Sequence, residues 1–214
     1  MQATTRNGRP GPDARPARAR TSFTEEARRA QIVAAAIETI ADLGYANASF
    51  AQIARQAGLS STGLISYHFR GKSDLMAQVA QEVFGPIAQH MAERMTGVTS
   101  AAQALETYLR ATVEFIAAHR RQMKAVLEIF MNGGIRYERG TELVVLSPVE
   151  EILRGGQEAG EFRAFDPRVM AAVIQRALDG LPFLLETYPD IDLDAYADEL
   201  ATTFALATVR PAGH

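Results

Sequence analysis

The sequence predicts an all-α fold: a three-helix head carrying a helix-turn-helix, followed by a larger helical body. Three observations carry this. Apolar residues recur at three- and four-residue intervals, as in Ile32, Val33, Ala36, Ile37 and Ile40. Strand-like alternation stands out only around Leu143–Leu146, and helix is expected there too. Breakers fall between the periodic runs, at Gly44, Gly58, Gly133, Gly134, Gly140, Gly160, Pro167 and Pro189.

Residues 1–21 hold Arg6, Arg9, Arg15, Arg18 and Arg20 among Pro, Gly and Ala, and are expected to form a disordered basic tail. Such an arm either follows a DNA groove or is simply solvated. The head is expected over residues 22–72. Its first helix should open at Thr24, with Glu25 and Glu26 in the first turn where the helix dipole favours them. Gly44 should end it, and Tyr45 should be core.

The stretch from Ser49 to Lys72 reads as two short helices joined by a tight turn. Ser49 is a good N-cap, and Phe50, Ile53, Ala54 and Ala57 form one helix face. Gly58 supplies a position tolerant of positive φ. Small Ala54 and Gly58 should also let the two helices approach closely. Ser60 or Ser61 is expected to cap the second helix, with Leu64 and Ile65 on its buried side and Phe69 as an apolar plug. This shape is that of a helix-turn-helix, whose second helix enters the major groove. The alternative is an ordinary αα-hairpin within a helical core.

The body is expected over residues 73–214. Ser73 should cap a helix running from Asp74 to about Met95, with Pro86 inside it as a kink. Further helices are placed at about 100–118, 121–131, 141–159, 167–187 and 192–209.

Composition narrows the function. The 214 residues carry a net charge of −3, unevenly: residues 1–72 hold ten Lys/Arg against five Asp/Glu, and the remainder twelve against twenty. A basic front and an acidic rear suit a protein that meets a polyanion at one end. With no cysteine there is neither a disulfide nor a thiolate metal site, which fits a cytoplasmic location. No apolar run approaches the roughly 18 residues of a membrane span, so no membrane partner is expected.

Around Tyr67 and His68 the chain resembles TetR-type transcriptional regulators. The resembling residues are Ile32, Ala36, Gly44, Tyr45, Phe50, Ile53, Ala54, Ala57, Gly58, Leu64, Tyr67, His68, Phe69, Lys72 and Leu75. They cover roughly residues 24–80. From Gly58 to Phe69 the chain is one residue longer than the commonest family spacing, so positions are carried over by counting back from His68. The resemblance implies phosphate-gripping roles for Tyr67, His68 and Lys72. It also implies a homodimer closed by the last two helices, operator DNA as partner, and a small-molecule inducer.

The candidate DNA-binding residues are Ser49, Ser61, Thr62, Gly63, Ser66, Tyr67, His68 and Lys72. Short hydroxyl side chains read bases weakly, and Thr62 offers a methyl to thymine. The second helix has no Arg, Asn or Gln, so bidentate base readout is not available from it. An apolar ligand pocket is expected from Phe84, Met91, Phe115, Phe130, Met131, Tyr137 and Phe183, with Arg136 as an anion partner. The dimer face is expected from Ala177, Leu178, Leu181, Leu184, Leu185, Leu200, Phe204 and Leu206.

Other constellations are set aside. Gly71-Lys72-Ser73 looks like the end of a phosphate loop, but Ser66 stands where that loop needs glycine. His90 and Glu93 share a helix face without two further ligands, so no metal site is expected. No catalytic group or cofactor fingerprint can be argued from spacing, and no enzyme is expected. The rival reading is a small-molecule-binding helical protein without DNA function; operator affinity separates the two.

Overall fold

The structure is a computed structural model that describes the backbone of residues 15–134 and 139–209, and the side chains of residues 24–134 and 146–209. Among these residues the chain forms ten helices: α1 (Arg15–Leu43), α2 (Phe50–Gln56), α3 (Gly63–His68), α4 (Lys72–Arg94), α5 (Ala101–Ala118), α6 (Arg120–Met131), α7 (Arg139–Glu158), α8 (Pro167–Asp179), α9 (Leu181–Thr187) and α10 (Leu193–Thr208). The one extended pairing among them is an isolated bridge between Phe162 and Val209.

Four helices start where the sequence offers a side-chain cap. Ser49 Oγ accepts from the backbone N–H of Gln52 at 3.3 Å and starts α2. Ser100, Asp166 and Asp192 start α5, α8 and α10 in the same way. Gly44 and Gly58 take φ of +76° and +64°, the left-handed turns that follow α1 and α2.

Several expectations are corrected. The first helix starts at Arg15, so residues 15–21 belong to it and Glu25 and Glu26 lie well inside it. The reason is local. Arg and Ala are strong helix formers, and Pro16 stands in the first turn, where its missing N–H costs nothing. Helix α3 is flanked by Thr62, already at helical φ and ψ, with no side-chain cap bond; Ser60 and Ser61 lie in the turn before it. Helix α4 opens after Gly71, placing Ser73 inside the first turn. There Asp74 Oδ2 accepts from the Arg70 backbone N–H at 3.0 Å.

Leu64 is not on the buried side of α3. Ile65 and Phe69, four residues apart, take the inward face, and Leu64 stays 38% exposed. A Cβ at Gly58 would meet nothing within 4 Å, so its positive φ, and not close helix approach, is what glycine supplies there. The expected helix over 167–187 is two helices, α8 and α9. It breaks at Gly180, with Pro182 in the first turn of α9, where proline cannot donate back to the preceding turn.

Two apolar cores result. The first gathers Ile32, Ile40, Ile53, Ile65, Phe69, Leu75 and Val79 from α1–α4, together with Phe115 of α5 and Ala125, Val126 and Ile129 of α6. The second holds Leu109, Ile116, Val149, Leu153, Ile174, Leu178 and Leu181. Tyr108 borders the second core and donates to Gln175 Oε1 at 3.2 Å, while Gln175 donates to Asp179 at 2.8 Å. Burial, with the Asp179 charge adding to it, pushes the Tyr108 hydroxyl up to about 12. The folded state therefore holds this proton more tightly than the unfolded chain does. The stability that follows is fully present below pH 10 and is lost as pH rises toward 12. Above pH 10 the loss should run at about 1.4 kcal/mol per pH unit. Urea midpoints of wild type should show this alkaline fall, and those of Tyr108→Phe should show a smaller one, since burial also raises the Tyr196 hydroxyl.

Candidate nucleic-acid interface

Helix α3 is six residues long and is held by its neighbours. Phe69, which follows it, is 2% exposed and fills the space between α1 and α4. Arg29 of α1 lies with its guanidinium 4.5 Å over the Phe69 ring. The same guanidinium donates to the His68 carbonyl at 2.6 Å and to Gln78 Oε1 at 3.1 Å. One planar cation thus satisfies a carbonyl at the end of α3 and ties α3 to α1 and α4. Gln31 plays the matching part for α2, donating to the Ala57 carbonyl at 2.7 Å.

With Ile65 and Phe69 locked inward, the opposite side of α3 faces solvent. Ser61, Thr62, Gly63, Leu64, Ser66 and Tyr67 are exposed there. Tyr67 is 73% exposed, and its ring meets His68 edge-on at 5.0 Å. Its hydroxyl donates to Glu25 at 3.4 Å, a long contact that a phosphate oxygen can replace. His68 is half-buried.

Lys72 is held differently from a free surface lysine. Its Nζ donates to the Tyr45 carbonyl at 2.7 Å and sits 4.1 Å from the centre of the Tyr45 ring. Partial burial pulls its ammonium below the usual lysine range. Tyr45 is itself fixed from the body: its N–H donates to Glu128 of α6 at 3.2 Å, and its ring lies against Gly134. Arg121 of α6 adds ion pairs to Glu38 at 2.5 Å and Asp42 at 2.7 Å on α1.

Of the predicted DNA-binding residues, Ser61, Thr62, Gly63, Ser66 and Tyr67 are exposed, His68 is half-buried, Ser49 is engaged as the α2 cap, and the Lys72 ammonium is held on Tyr45. Sequence reasoning passed over Arg55, in the last turn of α2, and Arg70, after α3; both are exposed cations on the same small unit. Their signal was the charge itself. Arg29 and Gln31 were also missed, because their partners lie 39 and 26 residues away along the chain.

Among the described residues, none of those predicted for the pocket lines the cavity described below. Phe84 and Phe130 meet at 6.0 Å. Phe115 is buried, stacked on His119 at 4.1 Å. Met131 is exposed at the end of α6, while Met91 and Phe183 are half-buried elsewhere. Arg136 and Tyr137 lie outside the described residues. A cavity of about 410 Å³ opens between α5, α10 and the turn at Glu161 and Phe162, with Glu106, Arg110 and Thr202 on its wall. No cluster of three or more metal-ligating side chains occurs among the described residues.

Of the expected dimer-face residues, the protomer's own core takes Leu178, Leu181, Leu185 and Phe204. Ala177, Leu184 and Leu200 are half-buried against that core, and Leu206 is 72% exposed. Val169 and Val173 on α8 and Val209 after α10 are exposed as well. Apolar groups therefore remain outward on α8 and beside α10. Among the described residues no helix is long and apolar enough to cross a membrane.

Comparison with known proteins agrees with this geometry. The family model "Bacterial regulatory proteins, tetR family" matches residues 32–79, from the buried Ile32 to the buried Val79. The HTH-type transcriptional regulator BetI of Cronobacter sakazakii is 29% identical over 191 residues, covering 81% of this chain and 91% of that protein. BetI 1 of Chromohalobacter salexigens is 32% identical over 101 residues, 47% of this chain and 50% of that protein. A solved tetR-family regulatory protein from Rhodococcus RHA1 shares the fold, with a TM-score of 0.73 at 21% identity over 87% of this chain and 98% of that one. A helix-turn-helix head braced by α1 and a helical body are what this chain shares with these proteins: residues 32–79 match the tetR-family model, and over most of its length the chain is similar in sequence to BetI and in fold to a solved tetR-family protein.

Proposed function

We propose that the protein is a cytoplasmic, homodimeric transcriptional repressor that holds a palindromic operator and is released from it by a small molecule. One observation carries the DNA part: Thr62, Gly63, Leu64, Ser66 and Tyr67 face outward while Ile65 and Phe69 are locked in the core. The basic head and acidic body support the same orientation. The outward Val169, Val173 and Leu206 support pairing through α8 and α10 with a second copy. Two connections lead from body to head, α4 directly and α6 through Glu128 and Arg121. An inducer acts on them only through its different affinity for the two head spacings.

The test is footprinting of the full-length protein on the DNA upstream of its own coding region, with affinity measured across a salt series. Wild type should bind as a dimer, with affinity falling steeply as salt rises. His68→Ala and Lys72→Ala should weaken binding with the dimer intact. Lys72→Ala should lower the salt slope by about two, one phosphate contact per head. A protein that binds no duplex, or variants that bind like wild type, would remove this reading; the small-molecule binder without DNA function would then stand.

A further inference from the structure

We infer that Leu64 determines sequence specificity: its side chain packs against the C5-methyl of a thymine in the major groove. This rests on the DNA-binding reading above and goes beyond it by assigning the base and the atom.

Leu64 lies in the middle of the one face of α3 that the protein leaves uncovered, three residues from Tyr67 and next to Gly63. It is an exposed leucine on a helix whose other apolar residue, Ile65, is fully buried. A lone exposed leucine is ordinary; this one stands at the centre of the surface that meets the bases. The other outward groups on the helix and its approach are Ser61, Thr62, Ser66 and Tyr67. Hydroxyls donate and accept alike and discriminate poorly, Thr62 adds one small methyl at the edge of the helix, and no Arg, Lys, Asn or Gln occurs between Gly58 and Phe69. On the major-groove floor of B-DNA the thymine methyl is the one apolar group, so it is the feature an aliphatic side chain can select.

Gly63 keeps the way clear. Its φ is not in the left-handed region, and a Cβ there would meet only Ser61 Oγ, at 3.4 Å. Neither the backbone nor the packing therefore demands glycine strongly at this position. What its missing side chain provides is room for α3 to come close to the duplex beside Leu64.

The test uses the full-length protein and duplexes selected by it from a random library. Each thymine of the selected half-site is replaced in turn by deoxyuridine, which removes the methyl and keeps the pairing. Wild type should lose about fourfold in affinity at one thymine per half-site, the effect of one buried methyl group. Leu64→Ala, which removes the contact from both heads, should bind about sixteenfold more weakly, fourfold per half-site, and be indifferent to that same replacement. Wild type indifferent at every thymine, or Leu64→Ala fully sensitive, overturns the assignment while leaving DNA binding in place. Enrichment of no duplex at all overturns the DNA-binding reading, and this assignment with it.

Discussion

Phe69→Ala should destabilise the protein by about 3–5 kcal/mol, as expected for deleting a buried aromatic ring and leaving a cavity. The ring is 2% exposed and lies in the core shared by α1, α4 and α6. Its loss also removes the surface on which the Arg29 guanidinium rests, a contact of about 0.5–2 kcal/mol. Arg29 would then lose the support that aims it at the His68 carbonyl, and the C-terminal end of α3 would be released. For a chain of this size the midpoint of thermal unfolding should fall by about 10 °C, and specific DNA binding should be lost well below that temperature. Phe69→Leu, which refills most of the volume, should recover most of both. A Phe69→Ala protein that melts within about 2 °C of wild type would show that the ring is not the plug.

Gly134→Ala should cost about 1–3 kcal/mol by overpacking and should weaken DNA binding although Gly134 follows α6 in the body. Its Cβ would come 2.4 Å from Tyr45 Cε2 and 2.7 Å from Cζ. The ring has little room to retreat, with Lys72 Nζ over it and the Tyr45 N–H and carbonyl both engaged. The strain would fall on the α1–α2 turn and on the ammonium it holds. A double-mutant cycle isolates the contact: in a Tyr45→Ala background the added methyl should cost almost nothing. Equal costs in both backgrounds would place the damage elsewhere.

The parts of this architecture legible in the sequence are those set by neighbours along the chain. Ser49, Gly58 and the Phe50–Ala57 face announced α2 and its turn because a cap, a left-handed residue and a helix period are local signals. Leu64 was misplaced because a helix of six residues makes fewer than two turns. Two adjacent apolar residues in so short a piece do not say which of them faces in. The split at Gly180 was missed because the apolar period runs on past it. The brackets formed by Arg29, Gln31 and Lys72 depend on partners far away in sequence, so no window could show them. On α8 and α10 the apolar residues that close the protomer and those left outward interleave on the same helices. Periodicity alone does not separate Leu178 from Val173, or Phe204 from Leu206.

The first core has a consequence for how such proteins are taken apart and recombined. Ala125, Val126 and Ile129 of α6 are packed into the same cluster as Ile53, Ile65 and Phe69, and Glu128 holds the amide at Tyr45. The head is therefore not a cassette. Cutting after Lys72 would strip one wall from its interior, and grafting it onto a foreign body would succeed only where the incoming helix presents matching apolar groups and a carboxylate in the place of Glu128.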